Sequence, residues 1–161
     1  KADILQRLPL LFDQHIARWA NTPFPSLFLN DENRAFYNLL TEELASKDVL
    51  RFTEVCLDDH PVALHFGFYY NAIFTWYKPS YDPKLAKYSP GEVLIKALIE
   101  QAKQENAKEF DFTIGAEAFK YRFADTIRER ETISCHHSYY KAKKIDTLLK
   151  AKRLAKKLLR K

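Results

Sequence analysis

Three places in this 161-residue chain hold residue types that could do chemistry. The first is Tyr88-Ser89-Pro90-Gly91-Glu92-Val93, between an aromatic strand-like stretch and a long helical pattern. Ser89 reads as an N-cap, Pro90 as the first helical residue and Glu92 as the return arm of a capping box. Gly91 then falls in the first turn, where a missing side chain lets a ligand approach backbone N–H groups. A bare, strand-fed helix start of this kind can bind an anion such as phosphate, and it can equally be an ordinary capped helix. The second place is His65, mid-strand, sharing a face with Ala63, Gly67 and Tyr69 and opposite Val62, Leu64, Phe66 and Phe68. A histidine beside a glycine that clears space reads either as a general base or as a hydrogen-bonded core histidine. Tyr69 on the same face either orients an acceptor or packs. The third is Asp111, a carboxylate between Phe110 and Phe112, which must find partners or have its pKa raised. Tying the loop Thr113–Gly115 together is one such use. Glu117 and Lys120, three apart, can form an ion pair.

Other catalytic schemes fit poorly. His136 and His137 are adjacent on a predicted strand, so their rings point to opposite faces and cannot share a metal. Cys56 and Cys135 match no zinc spacing, and we expect no metal site. There is no phosphate-binding Walker turn, no Gly-x-Ser-x-Gly elbow and no Gly-x-Gly-x-x-Gly. His15, on an apolar helical stripe with Trp19, reads as a core residue.

The elements that must position these residues alternate along the chain. Leu8, Leu11, Phe12, His15, Ile16 and Trp19 form a helical stripe after Pro9, which Asn21 to Pro25 interrupts. Asn30 or Asp31 caps a second helix with an inner face of Phe36, Leu39, Leu40 and Leu44. After Lys47-Asp48 the period becomes two. Residues 50–57, 62–70 and 73–78 read as an antiparallel meander, with turns at Asp58–Pro61 and Asn71-Ala72. A loop over 79–87 precedes a helix over 90–106, and Glu109 to Thr113 reads as a buried strand parallel to its predecessor. A helix over about 116–124 and a strand over about 131–140 follow. The order predicts α/β architecture: a mixed sheet, antiparallel at first and parallel across the central helix, with helices on both faces.

Composition bounds the rest. The length suits one domain with a real core, and no apolar run approaches a membrane span. Two cysteines do not make a disulfide framework, so free thiols in a reducing, cytoplasmic compartment are expected. No secretory signal is visible. The chain starts at Lys1 and lacks Met, and we read it as the cut end of a longer protein. Residues 141–161 hold ten of the 26 Lys and Arg residues but one of the 21 acidic ones, leaving 16 basic against 20 acidic elsewhere. We therefore divide the chain into a domain over 1–140 and a basic amphipathic C-terminal helix over 141–161. That helix could dock on this domain or a partner chain, meet the inner membrane surface peripherally, or contact a polyanion. It has no base-reading module, so no sequence-specific nucleic-acid binding is expected.

Certain blocks in combination resemble the GNAT acetyltransferase superfamily. They are Leu11-Phe12-Asp13-Gln14-His15-Ile16-Ala17-Arg18-Trp19, Ala63-Leu64-His65-Phe66-Gly67-Phe68-Tyr69-Tyr70 and Trp76-Tyr77-Lys78-Pro79-Ser80-Tyr81-Asp82-Pro83. Tyr88-Ser89-Pro90-Gly91 and Phe110-Asp111-Phe112 with Gly115, Glu117, Phe119 and Lys120 complete them. The closer likeness is to the branch associated with cellulose and exopolysaccharide biosynthesis (CelD- or BcsL-like), related to the FemAB-type peptidoglycan-bridge aminoacyl transferases. The resemblance implies an acetyl-CoA donor, an amine or hydroxyl acceptor among small molecules or envelope precursors, and a diphosphate on the turn before the central helix. It implies cofactor contacts from Lys87, Tyr88, Ser89, Gly91 and Glu92, although the usual Gln/Arg-x-x-Gly-x-Gly/Ala turn is absent and Pro90 offers no N–H. It places Asp111 at the floor of the acceptor cleft, with Tyr69, Glu117 and Lys120 toward the substrate. Tyr121 falls near a tyrosine that protonates the leaving thiol, and His65 completes the catalytic set with Asp111 and Tyr121. Two alternatives stay open: a tRNA-dependent aminoacyl transferase, and a non-catalytic half of a tandem pair.

Overall fold

The period-two stretch after Lys47 becomes three antiparallel strands in a computed structural model that describes residues 2–131, 133 and 135–158. They are β1 (Leu50–Leu57), β2 (His60–Tyr70) and β3 (Ile73–Tyr81). Two-residue turns join them, and the turn residues Asp58, Asp59, Asn71 and Ala72 all have positive φ. A two-residue hairpin that follows the strand twist needs that backbone at both positions. Asp and Asn adopt it readily. Ala72 does so against its own preference, and its carbonyl is held there by the N–H groups of Lys108 and Glu109. α3 (Pro90–Gln104) then crosses the sheet to β4 (Glu109–Asp111), which pairs parallel with β3. The strand order is β1-β2-β3-β4, the mixed sheet that the sequence pattern predicts.

Helices cover both faces. Leu64 and Phe66 of β2 face α1 (Ala2–Trp19) and α2 (Asp31–Leu44), in one cluster with Leu8, Leu11, Phe12, Phe28, Tyr37 and Leu50. The alternate residues Ala63 and His65, with Phe74 and Trp76 of β3, are buried on the side where α3 packs its Leu94, Ile95, Leu98 and Ala102. Each buried side chain of Leu or Phe size contributes about 1.5–3 kcal/mol, so this double layer is the main source of stability.

The chain forms two compact units, residues 1–120 and 121–161. Five expectations from the sequence change. α1 starts at Ala2 and runs through Pro9 rather than beginning after it. On α2 the inward residues are Tyr37 and Thr41, while Phe36 and Leu39 are 53% and 61% exposed. Tyr37 wins the inner position because its ring meets Phe12, Phe28 and Phe66 edge-on, and Thr41 hides its hydroxyl on the Tyr37 carbonyl at 2.9 Å. The loop after β3 is ordered as a 3-10 helix, Pro83–Tyr88, with Asp82 as its side-chain cap. Beyond Gly115, the expected helix over 116–124 is replaced by a single 3-10 turn, Lys120–Arg122. The expected strand over 131–140 does not form among the described residues, and Tyr139 and Tyr140 instead open α4 (Tyr139–Leu158). Alternation marks a segment able to be a strand, but only a hydrogen-bonding neighbour makes it one.

Candidate active site

β3 and β4 are paired only where Ile73–Thr75 lie beside Glu109–Asp111. From Trp76 to Tyr81, β3 runs on with β2 alone. The carboxyl ends of the parallel strands thus separate beyond Thr75 and Asp111, and open α/β sheets hold ligands at such a split, outside the carboxyl ends of their strands. Trp76, Phe112 and Phe119 converge just past the split, with ring centroids 6.3–6.5 Å apart.

The helix mouth at this opening is barer than its sequence suggests. Ser89 occupies the N-cap position with φ 53° and ψ 48°, and its side chain makes no capping bond. A side-chain cap needs extended backbone, but Ser89 also terminates the Pro83–Tyr88 turn, and that role demands the left-handed conformation. The Ser89 N–H is spent on the Ala86 carbonyl, and the Ser89 carbonyl takes the N–H groups of Glu92 and Val93. Pro90 has no N–H. Gly91 is therefore the mouth residue whose N–H donates to no backbone carbonyl among the described residues. A side chain there would meet only the Tyr81 ring, at 3.5 Å, so the approach is open. Tyr88 is 65% exposed and lies under the Lys87 ammonium at 4.7 Å rather than in the mouth.

His65 has a structural task. Opposite Gly67 the register slips, and Trp76-Tyr77 form a bulge on β3. The bulge removes the Tyr77 N–H from the ladder, and His65 Nε2 accepts it at 3.2 Å. The ring lies flat over the space that the missing Gly67 side chain leaves, between Phe74 and Trp76. With Nε2 accepting, Nδ1 carries the proton and has no partner among the described residues. The imidazole is fully buried, and burial pushes its pKa down to about 3. A base whose lone pair is occupied and sealed from solvent has no means of taking an acceptor's proton, so the core alternative describes His65.

Asp111 ends β4 and accepts the Thr113 N–H through Oδ1 at 2.7 Å, holding Thr113 at φ 59°. Its other carboxylate oxygen makes no hydrogen bond among the described residues. Asp111 is half-buried at the opening, so it keeps both a loop-forming and a chemical capacity. Glu117 and Lys120 face each other rather than outward. Lys120 Nζ reaches Glu117 Oε2 at 2.8 Å and the carbonyls of Ile114 and Gly115 at 3.2 and 3.4 Å. Gly115, at φ 128°, lets the Glu117 carboxylate fold onto its backbone. Burial alone raises the Glu117 carboxyl, but the hydrogen bond from Lys120, a backbone bond and the Lys120 charge outweigh it, and the group sits below its usual range. This pair draws residues 114–120 into a tight loop, which is the reason no helix forms there.

Tyr69 lies elsewhere. Its hydroxyl donates to the Glu105 carbonyl at 2.9 Å, at the far end of α3. Arg51 stacks on its ring at 5.1 Å and pairs with Glu105 at 2.7 Å, while Gln101 links Glu105 to Thr53. Fifteen helical residues separate the two ends of α3, about 20 Å. Tyr69 therefore fastens the helix C-terminus, about 20 Å from Gly91 at the other end of α3. Tyr121 belongs to the second unit and is exposed.

Sequence reasoning gave no role to Arg18 at the C-terminal end of α1. Arg18 donates to the Pro79 carbonyl at 3.3 Å and stacks on Tyr81 at 4.6 Å, on the stretch of β3 that β4 leaves bare. His15 bonds Ser26 at 2.8 Å and stacks on Trp19, and burial, then the charges of Arg18 and Lys78, push its pKa down to about 4. Nothing local in the sequence says that Tyr81 folds beneath Arg18. No group of three His, Cys, Asp or Glu residues able to hold a metal occurs among the described residues. No helix among them is long and apolar enough to cross a membrane.

Compared with known proteins, residues 2–121 match the family model described as acetyltransferase (GNAT) domain. No curated protein and no solved structure gives a match.

Proposed function

The chain belongs to the acetyltransferase (GNAT) domain family, and from that premise we propose that it moves an acetyl or other acyl group from an acyl-CoA thioester to an amine or hydroxyl. One observation supports a working site in this fold: the parallel strands part beyond Thr75, and at the end of the bared stretch of β3, beside Tyr81, Gly91 offers an unspent N–H with room above it. The diphosphate of the carrier fits there, because a helix start with an open glycine favours an anion. The bare edge of β3 can take up the amides of the pantetheine arm, as any unpaired strand edge can.

The acyl-CoA supplies an activated carbonyl with a thiolate leaving group. An acceptor's neutral nitrogen or oxygen attacks that carbonyl, its new bond to carbon forms, and the carbon–sulfur bond breaks. The unbonded oxygen of Asp111 is the group we assign to receive the acceptor's proton. A thiol of ordinary pKa near 8.5 departs at neutral pH without a dedicated acid, so no role for Tyr121 is needed. The acceptor comes from cell-envelope or polysaccharide chemistry, following the resemblance to the exopolysaccharide branch.

A second proposal, a half-domain that binds the carrier without turnover, draws on the closed state of His65 and of the Ser89 and Glu92 amides. Two measurements separate them. Acetyl-CoA should raise the melting temperature, because a ligand of the native state stabilises by mass action. Thiol release with a panel of amines should then fall about 10²-fold in Asp111→Asn. A melting shift without thiol release would select the half-domain, and no shift at millimolar acetyl-CoA would remove both.

A further inference from the structure

The end of α1 presents hydrogen-bond donors with too few acceptors. Arg18 spends one N–H on the Pro79 carbonyl and has no carboxylate partner among the described residues. Its guanidinium sits between the rings of Tyr81 and Trp19, at 4.6 and 5.8 Å, so its plane is fixed while its remaining donors stay open. Lys78, close enough to act on the same histidine as Arg18, also lacks a carboxylate partner and rests on the Tyr77 ring at 4.7 Å. The Trp19 Nε1–H next to it is buried without an acceptor among the described residues. Donors and positive charge without a counter-charge describe a receptor for an anion.

Its location gives the anion's identity. Tyr81, which carries Arg18 on its ring, is the same residue that packs beside Gly91. The cluster is thus next to a helix mouth whose amides are mostly spent. We propose that Arg18, reaching across from α1, binds the diphosphate of the acyl-CoA and replaces the amide donors that Ser89, Pro90 and Glu92 do not provide. This rests on the acyl-CoA reading above. A fixed guanidinium makes two parallel bonds to phosphate oxygens, which a point charge such as lysine does less well.

The test is equilibrium binding of CoA, pantetheine and inorganic pyrophosphate to wild type, Arg18→Gln and Arg18→Lys. Gln can still donate to Pro79, so the β3 edge stays covered, and unliganded melting curves check the fold. Arg18→Gln should bind CoA and pyrophosphate at least tenfold more weakly, with pantetheine unchanged, and Arg18→Lys should recover part of the loss. A purely structural role would weaken pantetheine equally, and that result overturns the proposal. CoA affinity of Arg18→Gln within twofold of wild type overturns it as well, while leaving the transferase reading intact. Should wild type not bind CoA at all, the transferase reading fails. Pyrophosphate binding that Arg18→Gln abolishes then still supports the anion receptor, and pyrophosphate binding equal in both ends it.

Discussion

Mild acid should destabilise this protein through its two buried histidines. His65 and His15 titrate near 6.5 in an unfolded chain, whereas burial sets them at about 3 and about 4 in the fold. Because the folded values are the lower ones, the unfolded state binds the extra proton. Stability is therefore complete above about pH 6.5 and declines as pH falls toward each folded value. Once the unfolded histidine is mostly protonated, each contributes a slope near 1.4 kcal/mol per pH unit, or roughly 1.2 kcal/mol between pH 6 and 5. Together they remove about 2.4 kcal/mol, a measurable part of the 5–15 kcal/mol typical of a folded domain. Glu117 does not confuse this window. Its folded pKa is held below 4.5, so its contribution is intact above that value and is lost only in stronger acid. His65→Gln isolates the effect, since its carbonyl can still accept the Tyr77 N–H but does not titrate. Urea unfolding at pH 7, 6 and 5 should show a variant weaker at pH 7 that loses only about half as much as wild type from pH 6 to 5. Parallel losses would mean that His65 is not held neutral in the core, and the account of the bulge would fail with it.

Three further outcomes are expected. Gly67→Ala places a methyl group against the His65 ring and the Thr75 carbonyl, and overpacking there should cost about 1–3 kcal/mol by denaturant titration; an unchanged midpoint would contradict the geometry. Gly91→Ala meets only an ordinary contact with Tyr81, so melting temperature should hold or rise, while the added methyl weakens CoA binding several-fold; equal CoA affinity would place the diphosphate elsewhere. Tyr69→Phe should melt several degrees lower and keep kcat within a few-fold, because its hydroxyl serves the far end of α3; a hundredfold loss of kcat without a change in stability would return Tyr69 to the site.

Some of this protein was legible in its residues alone. Strict alternation with Asp-Asp and Asn-Ala turns specifies a meander, because a side-chain period of two admits one buried face and the turn residues set the register. Pro90 and the apolar spacing of Leu94, Ile95 and Leu98 mark α3, and Phe110-Asp111-Phe112 marks the strand beyond it. The parallel crossover follows from that order. These are local facts, each decided within a few residues.

What the chain's order could not reveal depended on partners far away in sequence. Ser89 resembles a cap in isolation, but a second turn ends on it and claims its backbone. His65 resembles a base until a bulge twelve residues on presents it with the Tyr77 N–H. Tyr69 shares a face with His65, yet strand direction carries it to the opposite end of α3. Arg18 enters the neighbourhood of Gly91 only because α1 lies along the stretch of β3 that β4 leaves bare. Periodicity decides which face a side chain takes; whether its polar atoms are spent or open is decided by whichever distant donor or acceptor the packed core brings to them.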